Sequence, residues 1–313
     1  MKFVFRNTTT AWIFGIIVGV FLGGSLAYPM PNYKGHLAPL GNGFSAILVS
    51  SNGPNILEMV FNKSLTYSSA TSNNVNNIDQ VEAVLNAYGT SREILGKSTN
   101  HGLLLRNVFK NSKAYSLGLR TGDILSVPID EKYNTTRNSV SKSSIYLQKS
   151  IHDGGVVELY RENKIVRTLR LPDDANEEVG FVEVASNIFP DGARLPMSLI
   201  LARGSSSGLA LALYFLDLET TGSLAGNLSI AATGTLVNNG RGNRVIAIGS
   251  LEDKYKAYER SDTDLMLIPA GNKYDSLPKD ADTEGRVYLV DSVEEAVRIL
   301  CKLGSTDNLC LKF

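Results

Sequence analysis

The chain predicts an α/β domain over residues 173–313, preceded by a mostly β domain over 96–172 and by an apolar N-terminal helix. Three observations carry this. In the C-terminal part, apolar strand-like runs alternate with helical ones, the order that builds an α/β layer structure. In the middle, short strand-like runs follow one another with small-residue segments between them. At the start, Ala11–Tyr28 (AWIFGIIVGVFLGGSLAY) is mostly apolar and carries no charge.

The N-terminal segment comes first in order. Lys2 and Arg6 precede it, so as a short membrane-spanning helix it would leave residues 1–10 in the cytoplasm. Ser25-Leu26-Ala27 also suits cleavage of a secretory signal, and a buried core helix is a third reading. On the first two, everything after Pro29 lies outside the cytoplasm, anchored at the cell membrane or secreted. In an oxidising compartment Cys301 and Cys310 can bridge and staple the tail; two unpaired thiols are the alternative. With no histidine nearby they do not make a zinc site. The 313 residues hold 31 Lys plus Arg against 31 Asp plus Glu, so there is no basic field and no nucleic-acid partner is expected.

Residues 29–95 read as an extracytoplasmic linker region of strands and one helix. GFSAILVSS and NILEMVF are strand-like, SSATSNNVNN is a loop, and IDQVEAVLNAYG has helical apolar spacing with Gly89 as its C-cap. From Gly96 to Pro172 the strands are GLLLRNVF, DILSVPI, GVVELYREN and KIVRTLRL, the last two a hairpin with Glu162-Asn163-Lys164 at its tip. The order Gly102–Val108, Ser112–Ala114, Gly118-Leu119, Gly122-Asp123-Ile124-Leu125 resembles a PDZ domain, with SKSSIYLQKSI as its second helix. The resemblance implies binding of a peptide C-terminus by strand addition, with Gly102, Leu103 and Leu104 at the peptide. A β-rich spacer without a ligand is the other reading. The acidic, turn-rich PDDANEE, Pro172–Glu178, marks the boundary to the next domain.

In residues 173–313, GFVEVASNI, MSLILA, IAATGTLV, RVIAIGS, DLMLIPA and VYLV read as strands. GLALALYFLDLE, LEDKYKAYERS and SVEEAVRILCKL read as helices. Ahead of the first helix stands Gly204-Ser205-Ser206-Ser207-Gly208. Such a loop can be a linker, a phosphate cradle or the seat of a nucleophile. A Walker A loop needs G-x-x-x-x-G-K-[ST]; the chain's only Gly-Lys-Ser is Gly96-Lys97-Ser98, and its nearest upstream glycine, Gly89, is separated from Gly96 by six residues instead of four, so the motif fails. The serine loop also resembles the Gly-Ser-Ser phosphate loop of small-molecule kinases of the galactokinase and homoserine kinase type, which an ATP-poor compartment disfavours.

A serine nucleophile needs a base. The histidines, His36, His101 and His152, all lie outside this domain, which leaves lysine. Lys254 follows an apolar strand and a Gly-containing turn, so it falls near the start of a helix packed on the sheet, where its stem can be buried and its amine kept neutral. Lys256 points elsewhere on that helix, and Lys273 and Lys279 are in loops.

On these residues the domain resembles the protease domain of the Lon family, closest to its membrane-anchored, PDZ-carrying members without an ATPase. The family loop G-P-S-A-G is matched by Gly204–Gly208, and I-G-G-I-x-x-K by Ile248–Lys254. A Thr-Gly strand between them is matched by Ala232-Thr233-Gly234. The resemblance implies Ser206 as nucleophile, Lys254 as its base and Thr233 in support. It also implies protein or peptide substrates, no metal or nucleotide cofactor, and a homo-oligomer, since related protease domains form rings. Ser205, Ser207 and Ser250 depart from the family's proline, alanine and second glycine. An inactive PDZ and Lon-like adaptor at the membrane is the rival reading.

Overall fold

The structure, a computed structural model, describes residues 35–49, 64–66, 78–97, 102–126, 147–161, 164–173, 175–184, 194–196, 204–238, 243–272, 277–278 and 285–313. The Ala11–Tyr28 segment lies outside them, as does the NILEMVF strand. Among the described residues no helix is long and apolar enough to cross a membrane.

The chain begins with β1 (Gly35–Gly41) and β2 (Phe44–Val49), an antiparallel hairpin. β3 (Ser64–Thr66) and α1 (Ile78–Ile94) follow. Then come β4 (Gly102–Val108), the one-turn helix α2 (Lys113–Ser116) and β5 (Ile124–Ser126). After the helical residues 147–153 stand β6 (Val156–Arg161), β7 (Lys164–Arg170) and β8 (Val179–Val184). β9 (Arg194–Pro196) pairs back to β3. The last part runs α3 (Gly208–Glu219), β10 (Ile230–Ala232), β11 (Thr235–Asn238), β12 (Asn243–Ile246) and α4 (Leu251–Glu259). It closes with β13 (Leu265–Pro269), β14 (Val287–Val290) and α5 (Val293–Lys302).

One five-stranded sheet has the order β1-β2-β10-β13-β14, parallel from β2 onward. Its strands are covered on both faces, so they read as near-continuous apolar runs. Ala46, Leu48, Leu265 and Leu267 point to the side of α1, α3 and α5. Ile47, Ala231, Met266 and Ile268 point to the other side, where Leu251, Tyr255 and Tyr258 of α4 cover them. Helix α3 is buried along Gly208–Asp217, which explains its apolar character all round. Tyr88 of α1 meets Phe215 of α3 edge to face, 5.5 Å between ring centres.

The second five-stranded sheet has the order β7-β6-β5-β4-β8 and is antiparallel throughout. Leu103 and Leu105 enter a small core with Leu147 and Ile151. Leu104, Ile124, Tyr160 and Val184 turn the other way and join the core that contains α1. Strand alternation thus places consecutive leucines in two different cores.

Three sequence expectations change here. Residues 35–49 and α1 are not a linker: the hairpin extends the parallel sheet and α1 packs on α3. Val179–Val184 pairs with β4, so it belongs to the second sheet instead of the C-terminal α/β unit. A local alternation of apolar residues says that a strand forms, and says nothing of which edge it joins. Gly89 lies inside α1 and is buried, where tertiary context overrides its weak helix propensity. The helix stops instead at Gly96, which takes φ 72° while Lys97 N–H reaches back to the Arg92 carbonyl at 2.8 Å, a glycine C-cap. Cys301 and Cys310 form a disulfide, which ties the C-terminal turn to the end of α5.

Candidate active site

The parallel strands run β2, β10, β13, and a cleft opens beyond the carboxyl ends of the first two, where open α/β sheets place their ligands. It has a volume of about 360 Å³. Val49 at the end of β2, Ser205 and Ser206 of the serine loop, Ile248 and Ser250 before α4, and Lys254 line it.

The serine loop is stitched to the strand beside it. Gly234 N–H donates to the Ser206 carbonyl at 2.7 Å, and Leu209 N–H donates to the Gly234 carbonyl at 3.0 Å. Gly208, the first residue of α3, comes so close to β11 that a Cβ there would stand 3.0 Å from Leu236 N and 3.2 Å from Gly234 O. That contact explains the second glycine of the motif by crowding. Ser206 is half-buried and faces the cleft.

Lys254 reaches the same point from the opposite side. It stands in the first turn of α4, whose apolar face lies on β1 and β2. Its side chain is 3 % exposed. The amine Nζ lies 2.6 Å from Ser206 Oγ and 2.9 Å from Thr233 Oγ1. Among the described residues no carboxylate pairs with it, and burial alone lowers its pKa from 10.5 to about 7. Lys256, by contrast, is exposed and donates to Glu252 Oε1 at 2.5 Å.

Thr233 sets the direction of these bonds. It is fully buried at the end of β10, and its hydroxyl donates to the Ser206 carbonyl at 3.1 Å. A threonine has one proton to donate, so Oγ1 receives a proton from Lys254. A neutral Lys254 held in this way keeps its lone pair free for the Ser206 hydroxyl. The three residues read from the motifs therefore meet at one point, each from a different element. A buried neutral amine within hydrogen-bond reach of a serine hydroxyl at a helix start can take up that hydroxyl's proton and generate a nucleophile. Among the described residues there is no cluster of side chains suited to a metal ion.

No protein-family model matches the chain. It is similar to Lon protease 1 of Borreliella burgdorferi, 24% identical over 209 residues, which is 64% of this chain and 21% of that protein. The matched part spans about a fifth of that protein's length.

The motif's flanking serines each find a partner. Ser205 Oγ lies 3.1 Å from Thr235 Oγ1. Ser207 is buried and pairs with Gln80 of α1, a residue that sequence reading did not single out. Its only signal was a polar residue on the apolar side of a helix. Ser250 takes φ 55° and ψ 37° at the start of α4, a left-handed conformation in which glycine has no steric cost.

The residues expected at a bound peptide, Gly102, Leu103 and Leu104, are placed otherwise. β4 is paired on both edges, Leu103 with Leu125 of β5 and with Glu183 of β8. All three are buried. No strand can be added there, because β8 of the same chain already occupies that edge.

Proposed function

We propose that the chain is a serine endopeptidase in which Ser206 is the nucleophile and Lys254 its base. The supporting observation is the 2.6 Å approach of Lys254 Nζ to Ser206 Oγ within a buried site that lowers the amine's pKa to about 7. In the reaction, neutral Lys254 takes the Ser206 proton as Oγ attacks the peptide carbonyl. Backbone N–H groups around Ser206, at the positive end of α3, stabilise the oxyanion. Lys254 then returns its proton to the leaving amine as the peptide C–N bond breaks, leaving an acyl group on Ser206. Water, deprotonated by Lys254, attacks that ester; the proton then passes back to Ser206 Oγ and the acid is released. Thr233 keeps Lys254 oriented throughout.

This chemistry needs no nucleotide or metal, and its substrates are loose or already unfolded proteins and peptides, whose backbone can enter the cleft without being unfolded first. The N-terminal segment anchors the peptidase in the membrane with the cleft outside the cytoplasm. The antiparallel sheet with its PDZ-like order serves substrate recognition or gating, by a surface other than the occupied edge of β4. The test is hydrolysis of casein by the full chain. Wild type cleaves it, and Ser206→Ala and Lys254→Ala each lose at least about a thousandfold in kcat while keeping their far-UV circular dichroism. Binding of peptides without turnover in wild type would favour an adaptor and sink the peptidase.

A further inference from the structure

Gln80 lies in the first turn of α1, 127 positions before Ser207, yet the two side chains meet. Its amide Nε2 donates to Ser207 Oγ at 2.9 Å, and Ser207 Oγ donates to Gln80 Oε1 at 3.2 Å. Gln80 is 3 % exposed and Ser207 1 %. A buried amide and a buried hydroxyl satisfied in this way hold each other strongly in place, since parting them leaves unpaired polar groups away from water.

Ser207 occupies the N-cap position of α3, where a serine ordinarily accepts a backbone N–H of its own helix. Here it makes no such bond. Its hydroxyl faces α1 instead, and the residue it belongs to is bonded covalently to the Ser206 carbonyl carbon. That carbonyl is already held on its other side by Gly234 N–H and Thr233 Oγ1. Ser206 is therefore gripped from two directions: the Thr233-Gly234 strand end on one side and Gln80, through Ser207, on the other. Two fixed neighbours determine where its Oγ points, and a displacement of about 1 Å at a reacting atom can cost a hundredfold in rate.

We propose that Gln80 is a positioning residue for the Ser206 loop, acting through Ser207 from a helix outside the serine–lysine motifs. The proposal rests on the Ser206–Lys254 reading for its kinetic consequence and on geometry alone for its structural one. Gln80 touches neither Ser206 nor Lys254 among the described contacts, so its effect falls on kcat and leaves KM unchanged.

The experiment uses the full chain with Gln80→Met, Ser207→Ala and the double variant, assayed on casein and crystallised. Gln80→Met keeps the side chain's bulk and removes its hydrogen bonds. We expect each single variant to lower kcat about tenfold with KM within twofold, and the double to lose no more than either single, the non-additivity of residues acting as one pair. We also expect the Ser206 Oγ–Lys254 Nζ distance to open beyond about 3.5 Å in the Gln80→Met crystal. Arg106→Ala removes the ion pair that Arg106 makes with Asp79 on the same turn, and should leave kcat within twofold. Folded single variants with wild-type kcat and an unchanged distance would overturn the proposal, and so would an equal loss in Arg106→Ala, which would mean that any loosening of α1 suffices. Should Gln80→Met not fold, Ser207→Ala, the smaller change, carries the same two readouts. If wild type itself cleaves nothing, the peptidase reading fails, and the crystallographic distance still decides whether Gln80 positions the loop.

Discussion

Lys254 and Lys256 stand two positions apart on α4 and live in opposite environments. Lys254 is on the face packed against β1 and β2, without a carboxylate partner among the described residues, and burial lowers its pKa to about 7. Lys256 is on the solvent face, and its hydrogen bond to Glu252 raises its pKa. Two residues along a helix rotate a side chain by about half a turn, and that rotation separates an ordinary surface cation from a buried amine, beside a serine, that loses its proton far more easily. The chemistry of a lysine is thus decided by the face it occupies, more than by its neighbours in sequence.

Substitution separates the two lysines most strongly. Lys254→Ala should abolish casein cleavage, and Lys256→Ala should leave kcat within twofold, since exposed ion pairs contribute little. Comparable losses in the two variants would show that the faces of α4 do not differ as described.

Stability gives the next largest effect. Below pH 7 both folded and unfolded chains carry the Lys254 proton. Between about pH 7 and 10.5 only the unfolded chain holds it, so this group makes the folded state more stable as pH rises through that window. Lys254→Met is therefore expected to be more stable than wild type at pH 6 by several kcal/mol, the cost of burying a charge. Its advantage should shrink by about 1.4 kcal/mol per pH unit above neutrality, as read from urea unfolding midpoints. A pH-independent difference would mean that Lys254 titrates alike in both states.

A smaller effect belongs to the turn that leads into α4. Ser250→Gly relieves a left-handed backbone and should raise stability by about 1 kcal/mol. In a chain of this size that corresponds to roughly 1–2 °C in Tm. No gain would show that the serine side chain compensates for the strain.

Much of this contrast was legible in the sequence. The Ser206 loop precedes an all-apolar helix, and Lys254 follows an apolar strand and a turn, so both fall on elements whose local signals are strong. Thr233 ends a short apolar strand, with the same clarity. What was hidden depends on long-range pairing. β8 has the same alternation whichever sheet it joins, and only its register with β4 reveals that it fills the edge expected to receive a peptide. The hairpin of residues 35–49 extends the parallel sheet because β2 lies beside β10, a contact no local pattern encodes. Gln80 is one of several buried polar residues of α1, and its meaning appears when Ser207 stands opposite. Gly89 reads as a helix end from its propensity alone, and its burial within α1 overrides that preference.

The role of Lys254 is read most directly from the pH dependence of kcat/KM on an unstructured peptide, which reports the ionisations of the free enzyme. With Lys254 as the base, activity should rise through a single limb with an apparent pKa of about 7 and hold level to about pH 9. A limb centred near 10, where an exposed lysine titrates, or a profile flat from pH 6 to 9, would contradict the role given to Lys254.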